Sequence, residues 1–419
     1  MMTSKQKIAD HFTAPVESGE VPTVSVSDRA GTRVERGHLW IFSNEVTKAP
    51  DGLEPGRFVQ FQASGRFVGV GYYNAHSLIG GRILARERTD DIAGLVEFRL
   101  KRALAQRAPL EKDEAARLVY SESDLLPGIV IDAFGSNVVI QSNTAGADKL
   151  MPVIEEKLPA VFRDVLKRDI QALVVRANAP IRKLESVEDY VKVLSGDEAA
   201  LTDTRFAEGG TQFAANLMTG QKTGFFLDQR DNRDHLAWRL DGAKEARVLD
   251  LFCYSGGWGL RALKAGAEHV TFVDESADAL ELVARGMKLN GFSEARALRR
   301  QRSVFDYLET DNDKYDVVVA DPPAFAKSKK DVGAALRAYE KLNRLAWRRV
   351  RPGGLLVTCS CSYQVSEEEF STAVSTAVGK EKGIAVLAHR GAQASDHPVL
   401  LSMPETRYLK CLFLKKVPA

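Results

Sequence analysis

The chain has 419 residues, of which 44% are hydrophobic and 27% charged, and its formal net charge is +2. This composition is typical of globular domains with apolar cores, and the length allows two to four of them. No apolar run is long enough to span a bilayer, and the polar residues 1–20 lack the apolar core of a secretory signal. We therefore expect a flexible tail over residues 1–20, a cytoplasmic protein without membrane contact, and local basic patches for any nucleic-acid ligand.

The four cysteines, Cys253, Cys359, Cys361 and Cys411, form no C-x-x-C pair, and no histidine cluster completes a zinc site. We therefore predict no bound metal and reduced thiols in a reducing compartment. Cys253 and Cys411 lie in apolar segments, so we expect both to be buried structural residues.

Residues 21–92 have the pattern of a small β barrel. Alternating or apolar runs such as TVSVS and RFVQFQ are separated by turns that contain Gly and Pro, as in compact all-β domains. Apolar residues at helical spacing then predict a helix from Ile92 to about Ala108.

Residues 93–200 combine this linker helix with an α+β layer. GIVIDAF and NVVIQS flank Gly135-Ser136, which predicts a hairpin. A helix from about Lys149 to Arg168 and strands at ALVVRAN and DYVKVLSG follow. The predicted order of this middle domain is strand-strand-helix-strand-strand.

Residues 201–419 begin with a hairpin-like stretch, TRFAEGGTQFAANL, and from Arg247 onward strands alternate with helices. Near-continuous apolar strands in such an alternation indicate a parallel, doubly wound α/β sheet of the Rossmann-like type. Between the two, KTGFFLDQRDNR carries a charged run that we expect to be a solvated helix start. Its members are Asp228, Arg230, Asp231 and Arg233.

The segment VLDLFCYSGGWGLRALKAGA joins the first strand of this sheet to a helix through a glycine-rich turn, where a ligand can approach the backbone closely. Gly257-x-Gly259-x-x-Ala262 also fits a dinucleotide fingerprint. Asp250 favours another ligand, because a pyrophosphate loop has no use for a carboxylate, whereas the ammonium of a zwitterionic amino acid needs one. The pattern D-x-F-x-Y-x-G-G-x-G resembles motif I of class I methyltransferases, which use S-adenosylmethionine (SAM).

Further cofactor contacts are expected at the ends of the next two strands. Asp274 ends HVTFVDES, where a carboxylate can accept hydrogen bonds from both ribose hydroxyls. The alternative for Asp274 is a helix cap, although Ser276 is better placed for that role. Adenine is expected near residues 302–306. The predicted cofactor-binding residues are Asp250, Phe252, Tyr254, Ser255, Gly256, Gly257, Gly259, Asp274, Ser303, Val304, Asp306 and Asp321.

The segment YDVVVADPPAFAKSKKD ends an apolar strand in a rigid turn, because two prolines cannot continue a central strand. It resembles motif IV of nucleic-acid methyltransferases, which implies that Asp321 accepts hydrogen bonds from a base amino group. Phe325 would either stack on a base or pack within its loop, and the lysines would hold phosphates or be merely solvated. The predicted RNA contacts are Pro322, Pro323, Phe325, Lys327, Lys329 and Lys330.

The next strand, GLLVTCS, carries the candidate nucleophile. Side chains alternate along a strand, so Cys359 and Cys361 share a face, and Cys361 lies nearer the carboxyl end. Carbon 5 of cytosine is a poor nucleophile, and a thiolate that adds to carbon 6 would activate it. We predict that Cys361 is this nucleophile and that Asp321 is the second catalytic residue. The alternative for Cys361 is a buried structural thiol.

Together these segments resemble the bacterial large-subunit rRNA cytosine-C5 methyltransferases that carry an N-terminal PUA domain. GHLWIFSNEV and RFVGVGYYN resemble the RNA-binding PUA module, and RLVYSESDLLPGIVIDAFG resembles the central domain. GQKTGFFLDQRDNR, DLFCYSGGWG, DPPAF, SCS and DHPV occur in the family's order. The resemblance implies SAM as cofactor, 5-methylcytosine formation in 23S rRNA or in an assembly intermediate, a homodimer, and the site roles given above.

Two departures from the family pattern affect the expected chemistry. The family's Asp before Val-Phe is Ser303 here, so the adenine contact would pass to Asp306 or to the backbone. Many RNA cytosine-C5 methyltransferases have Pro-Cys in motif IV, whereas this chain has Pro323-Ala324, so product release would use another base or water. Relatives of this architecture methylate guanine, which is the main alternative. A dehydrogenase and a non-catalytic RNA-binding protein with a relic cofactor fold are the others.

Overall fold

A computed structural model describes residues 21–243 and 245–417, so the predicted tail over residues 1–20 lies outside the described part of the chain. The chain divides into two compact units. The first unit runs to Thr204 and also contains Asn216–Thr223 and Asp396–Thr406, and the second comprises Arg205–Ala215, Gly224–Ser395 and the segment from Arg407.

The first part of unit one is a six-stranded sheet in the order β2-β6-β5-β4-β1-β3. Its strands are β1 (Thr23–Val26), β2 (Trp40–Ile41), β3 (Val46–Lys48), β4 (Arg57–Ala63), β5 (Arg66–Tyr73) and β6 (Gly81–Ala85). Helix α1 (Asp28–Glu35) was not predicted, and it begins where the Ser27 side chain accepts a hydrogen bond from the Ala30 amide. The predicted small β domain is confirmed, with one added helix.

The middle domain is a five-stranded sheet in the order β11-β10-β9-β8-β7. Its elements are α2 (Ile92–Arg107), β7 (Ala115–Tyr120), β8 (Ile129–Phe134), β9 (Asn137–Ser142), α3 (Ala145–Leu166), β10 (Ala172–Ala177), α4 (Arg182–Glu185), β11 (Tyr190–Ser195) and α5 (Glu198–Thr202). The predicted hairpin at Gly135-Ser136 joins β8 to β9.

Two details of this domain differ from the sequence prediction. The predicted strand-strand-helix-strand-strand order omits β7, a short and almost fully buried run that shows no alternation by which a strand is recognised. Helix α3 begins four residues before the predicted Lys149, because the Thr144 side chain caps it by accepting a hydrogen bond from the Ala147 amide at 3.1 Å.

Unit two is built on a seven-stranded sheet in the order β16-β15-β14-β17-β18-β20-β19, and the hairpin β12–β13 precedes it in the chain. The strands are β12 (Thr204–Glu208), β13 (Thr211–Ala215), β14 (Arg247–Leu251), β15 (His269–Asp274), β16 (Ala297–Gln301), β17 (Tyr315–Ala320), β18 (Val350–Ser360), β19 (Ala385–Gly391) and β20 (Lys410–Lys416). Strands β14 to β18 pair in parallel, and β20 is antiparallel to both β18 and β19. The predicted doubly wound sheet is confirmed.

The helices of unit two connect these strands, and none described anywhere in residues 21–243 and 245–417 is long and apolar enough to cross a membrane. They are α6 (Arg230–Leu240), α7 (Gly257–Lys264), α8 (Ala277–Leu289), α9 (Val304–Thr310), α10 (Val332–Arg349) and α11 (Glu367–Lys380). Chain order reverses at β14, which lies between β15 and β17. The carboxyl ends of β14 and β17 therefore form a switch point, where ligands of open α/β sheets bind.

Candidate active site

The residues that follow β14 form a tightly curled loop, which we call the cofactor loop (252–256). Phe252 and Tyr254 have φ values of +58° and +48°, a region that side chains other than glycine rarely adopt. The Tyr254 amide donates to the Asp274 carboxylate at 2.9 Å, and its hydroxyl donates to the Gly224 carbonyl at 3.1 Å. The loop is thus held in an uncommon conformation at the switch point, as functional loops often are.

Asp250 lies fully buried at the end of β14, directly under this loop. Its Oδ2 accepts a hydrogen bond from the Gly259 amide at 2.9 Å, whereas Oδ1 has no hydrogen-bond partner among the described residues. Burial raises the pKa of this carboxyl to about 8. The Ser255 hydroxyl is also buried without a partner in the described structure. Two orphaned buried oxygens fit the polar amino-acid end of SAM, whose ammonium would complete the site.

The glycines at the start of α7 are required for different structural reasons. Gly256 caps the helix with φ +77°, so the turn itself requires glycine. A Cβ on Gly257 would lie 3.1 Å from the Arg233 guanidinium, and a Cβ on Gly259 would lie 2.2 Å from the Phe272 ring. Gly259, predicted as a cofactor contact, is therefore required in this structure by the packing of α7 on β15.

Asp274 lies at the carboxyl end of β15 and is half-buried. Besides accepting from the Tyr254 amide, it accepts from the Ser276 amide at 3.0 Å. The cap of α8 belongs to Ser276, whose hydroxyl accepts from the Ala279 amide at 3.2 Å. A carboxylate offers about four lone pairs, so Asp274 retains acceptor capacity for ribose hydroxyls.

The predicted adenine contacts lie one strand further along the sheet. Ser303 is half-buried at the N-cap of α9 and makes no capping hydrogen bond with its side chain. Val304 is buried, and Asp306 is exposed in the first turn of the helix. The Arg302 amide donates to the Asp274 carbonyl at 2.9 Å, which fixes this turn against the end of β15. Ser303 therefore follows a residue that is bound to the end of β15, and the Asp306 side chain is exposed.

Asp321 follows β17, and its side chain binds both Gln229 and Trp258, which belong to separate sequence motifs. Its Oδ1 accepts from the Gln229 side chain and its Oδ2 from the Trp258 indole, both at 3.0 Å. Burial raises the pKa of this carboxyl, while the two hydrogen bonds oppose that shift. Each oxygen already has a protein donor, so a base amino group would have to use the remaining lone pairs. Gln229 and Trp258 were not among the predicted site residues.

Cys361 follows β18 directly and is half-buried, whereas the other three cysteines are buried. Its Sγ lies 3.9 Å from the Pro322 carbonyl oxygen, so the thiol lies beside the turn that follows Asp321. Cys359 is opposite Cys411 across β18 and β20, with their sulfurs 3.3 Å apart. Burial raises the pKa of the Cys359 thiol well above its ordinary value. Of the two candidate thiols, only Cys361 is partly accessible.

We call residues 361–365 the cysteine loop. The Ser362 hydroxyl contacts the Tyr339 hydroxyl at 2.9 Å and accepts from the Ala326 amide at 3.2 Å. These two contacts tie the cysteine loop to the Asp-Pro-Pro turn and to α10. The buried side chains of Ser362 and Tyr339 thus hold the thiol and the motif IV turn in a fixed relation.

The predicted RNA contacts fall into two groups. Phe325 packs its ring on Tyr339, with centroids 4.8 Å apart, at the margin of the core of unit two. This contact fits the loop-packing alternative, and stacking of Phe325 on a base stays a prediction. Pro322 is buried and Pro323 is exposed. The three lysines of the predicted patch are all exposed: Lys327, Lys329 and Lys330.

The charged run at the start of α6 corrects the sequence prediction. Arg233 forms a two-pronged ion pair with Glu208, at 2.7 and 2.6 Å, and both side chains are buried. Asp228 is also buried and accepts a hydrogen bond from the Tyr408 hydroxyl. The expected solvated helix start is therefore wrong for Asp228 and Arg233. Gln229, Arg233 and Leu236 lie at helical spacing and are all buried, but only Leu236 is apolar, so their pattern in the sequence does not identify this inward face.

Comparison with known proteins agrees with this architecture. Residues 24–86 match a PUA-like domain, and residues 183–374 match an S-adenosylmethionine-dependent methyltransferase domain. Ribosomal RNA large subunit methyltransferase I of Shewanella frigidimarina is 35% identical over 388 residues, which cover 90% of this chain and 95% of that protein. The protein of the same name from Aeromonas hydrophila is 33% identical over 389 residues, with 91% and 96% covered.

Among solved structures, a protein from Streptococcus mutans assigned as a SAM-dependent methyltransferase superposes with a TM-score of 0.77 at 22% identity, covering 94% of this chain and 100% of that one. This likeness confirms the fold. The domain matches confirm SAM-dependent methyltransferase activity over the dehydrogenase and the non-catalytic alternatives. The chain belongs to the ribosomal RNA large subunit methyltransferase I family.

Proposed function

We propose that the protein methylates carbon 5 of a cytosine in large-subunit ribosomal RNA and that Cys361 is its nucleophile. The observation that carries this proposal is the half-buried Cys361 thiol at the carboxyl end of β18, 3.9 Å from the Pro322 carbonyl of the motif IV turn. An accessible thiol at the substrate edge of the sheet suits addition to a pyrimidine ring. The names of the relatives support ribosomal RNA as the substrate.

The chemistry begins with the Cys361 thiolate. Its sulfur forms a bond to carbon 6 of the cytosine, and the electron pair of the 5,6 double bond moves toward carbon 5. SAM, when bound, supplies an electrophilic methyl group for this activated carbon. Loss of the carbon 5 proton then restores the double bond and expels the thiolate. Ala324 stands where many RNA cytosine methyltransferases have a second cysteine, so we propose that water or another base removes this proton.

Residues of the cofactor loop and its neighbours would hold SAM. Asp250 and the Ser255 hydroxyl would bind the amino-acid end, and Asp274 would accept from the ribose. Phe252, Tyr254 and the amides of Gly256 and Gly257 would line the loop. The adenine contacts would come from Ser303 and Val304, with Asp306 less suited because it is exposed.

RNA would be held by the PUA-like domain and by the lysines that follow the motif IV turn. Exposed lysines bind phosphates without reading sequence, so Lys327, Lys329 and Lys330 would add affinity rather than choose the nucleotide. The homodimer that the family resemblance implies and a cytoplasmic location remain predictions.

Substrate RNA containing 5-fluorocytidine tests the proposal. Fluorine cannot leave carbon 5 as a proton would, so the Cys361–RNA bond should persist and survive a denaturing gel. The adduct should require SAM and be absent with Cys361→Ser. The matched control is Cys359→Ala, which should still form it because Cys359 is buried against Cys411. Methylation of rRNA by Cys361→Ser at a rate comparable to the parent would contradict the proposal and favour methylation of a guanine nitrogen, which needs no thiol.

A further inference from the structure

Lys410 is a buried cation beside the cysteine loop that none of the sequence motifs includes. Strand β20 places it opposite Ser360, the residue before Cys361, and its side chain is only 7% exposed. Its ammonium donates to the Ser362 carbonyl at 2.7 Å and to the Val365 carbonyl at 2.9 Å. Burying an ammonium group costs free energy unless hydrogen bonds or an opposite charge compensate it. Its burial here therefore indicates a role at the cysteine loop.

The acidic groups around Lys410 are engaged elsewhere. Glu367 forms ion pairs with Arg390 and Arg407, at 2.5 and 2.6 Å. Glu369 accepts hydrogen bonds from the backbone and hydroxyl of Ser366 at the start of α11. Among the described residues, the hydrogen bonds of Lys410 go to carbonyl oxygens and not to a carboxylate. The negative charge that Lys410 could best neutralise is therefore one that forms on Cys361.

The electrostatics of the site couple these two groups. Burial lowers the pKa of Lys410 to about 8, and the charge of Cys361 acts in the opposite direction and raises it, as do Glu367 and Glu369, while Arg407 lowers it. Tyr339 of α10 contacts Ser362, the residue after the thiol, and burial raises the pKa of its hydroxyl, with the charge of Cys361 adding to that rise. Tyr339 therefore remains a neutral hydroxyl, and Lys410 is a cation whose charge interacts with that of Cys361.

We propose that Lys410 is a positioning residue for Cys361: it fixes the backbone that follows the thiol, and its positive charge stabilises the thiolate. The inference rests on the proposed nucleophilic role of Cys361, because a thiolate rather than a thiol adds to the base. The ionisation of Cys361 is a property of the free enzyme, so it can be measured without RNA.

The test is the pH dependence of Cys361 alkylation by iodoacetamide in the full-length protein, followed by peptide mass spectrometry. The other three thiols are buried, so labelling of the folded protein should be confined to Cys361. We expect an apparent pKa below the ~8.5 of an ordinary cysteine. In Lys410→Met it should rise by about one unit, the lower end of the effect of a nearby charge. Labelling at pH 7 would then be about tenfold slower.

Lys415→Met is the matched control, since Lys415 lies on the same strand and is exposed. It should leave the alkylation profile unchanged. Lys410→Gln retains a donor for the two carbonyls without the charge, and should give the same shift as Lys410→Met with a native melting temperature and SAM affinity. An unshifted profile in a folded Lys410 variant would overturn the proposal. So would a parent Cys361 pKa at or above ~8.5, a measurement that requires no variant to fold.

The two proposals fail independently. Alkylation reports only the ionisation of Cys361, whereas the 5-fluorocytidine adduct reports its bond to the base. A shifted alkylation profile without any adduct would leave the role of Lys410 in place and remove the nucleophile assignment. An adduct with an unshifted alkylation profile would leave the nucleophile assignment in place and remove the role of Lys410.

Discussion

The cofactor loop and the cysteine loop follow two strands of one sheet, yet they are supported in opposite ways. The cofactor loop lies over buried oxygens of Asp250 and Ser255 that have no partner in the described structure. In the cysteine loop, Ser362 is held from both sides by Tyr339 and Lys410. Unpaired buried groups mark a place that a ligand completes. A loop held by buried hydrogen bonds, with one partly accessible thiol, fits our proposal that Cys361 is a reacting group positioned before substrate arrives.

The largest expected effect comes from breaking the buried ion pair beside Gly257, the first residue of α7. Arg233→Met would leave Glu208 as a buried carboxylate without its ion-pair partner, which typically costs about 3–5 kcal/mol of unfolding free energy. The loss of unfolding free energy is measured by urea denaturation. The control is Arg299→Met, whose pair with Glu294 is largely exposed and should cost at most ~1 kcal/mol. Equal losses in the two variants would show that the buried pair has no special role.

The buried carboxyl group of Asp250 predicts that the affinity for SAM depends on pH. In the free protein the Asp250 pKa of about 8 means that the group is mostly protonated at pH 7. Binding of an ammonium group favours the carboxylate, so SAM binding should release a proton, and affinity should rise as pH increases from about 6 toward 8. Calorimetry in buffers of different ionisation enthalpy measures this release.

Asp250→Asn is the variant that isolates this effect. It should weaken SAM binding by about 1.5–3 kcal/mol, the range for hydrogen bonds to charged groups, and abolish the proton release. Asp241→Asn is the control, because its side chain is exposed at the end of α6. Proton release that persists in Asp250→Asn would assign the titration to another group.

A smaller effect is expected in the cysteine loop. Tyr339→Phe removes one hydroxyl from Ser362, which keeps its hydrogen bond from the Ala326 amide. We expect a loss of stability of about 1 kcal/mol and a several-fold lower kcat, because the thiol is held less firmly. SAM affinity measured by calorimetry should not change. A variant that instead binds SAM more weakly with normal kcat would show that the two loops are not supported separately.

The smallest effect should come from the exposed lysines. Neutralising Lys327, Lys329 and Lys330 together should weaken RNA binding and flatten its salt dependence, by up to ~0.7 in logarithmic slope for each single-strand phosphate that is no longer neutralised. Neither SAM affinity nor the Cys361 alkylation profile should move. A salt titration of RNA binding with the same slope as the parent would mean that these lysines are only solvated.

The comparison of the two loops also explains what sequence can predict. The alternation of strands and helices, the glycine turn and the positions of Asp250 and Cys361 are local patterns, and all could be read from neighbouring residues. The hydrogen-bond partners of Asp321 and Ser362 could not be predicted in this way. Gln229 is 92 residues from Asp321, and Lys410 is 48 residues from Ser362. The charged run around Arg233 was misjudged because its partner, Glu208, is on a separate hairpin.

Nucleoside mass spectrometry of large-subunit rRNA tests most directly whether the protein forms 5-methylcytidine through Cys361. The rRNA would come from cells that lack the gene, complemented with the parent protein, Cys361→Ala or Cys359→Ala. We expect that one 5-methylcytidine is lost on deletion, returns with the parent and with Cys359→Ala, and stays absent with Cys361→Ala. Restoration of the modification by Cys361→Ala, or loss of a methylated guanosine in place of 5-methylcytidine, would contradict it.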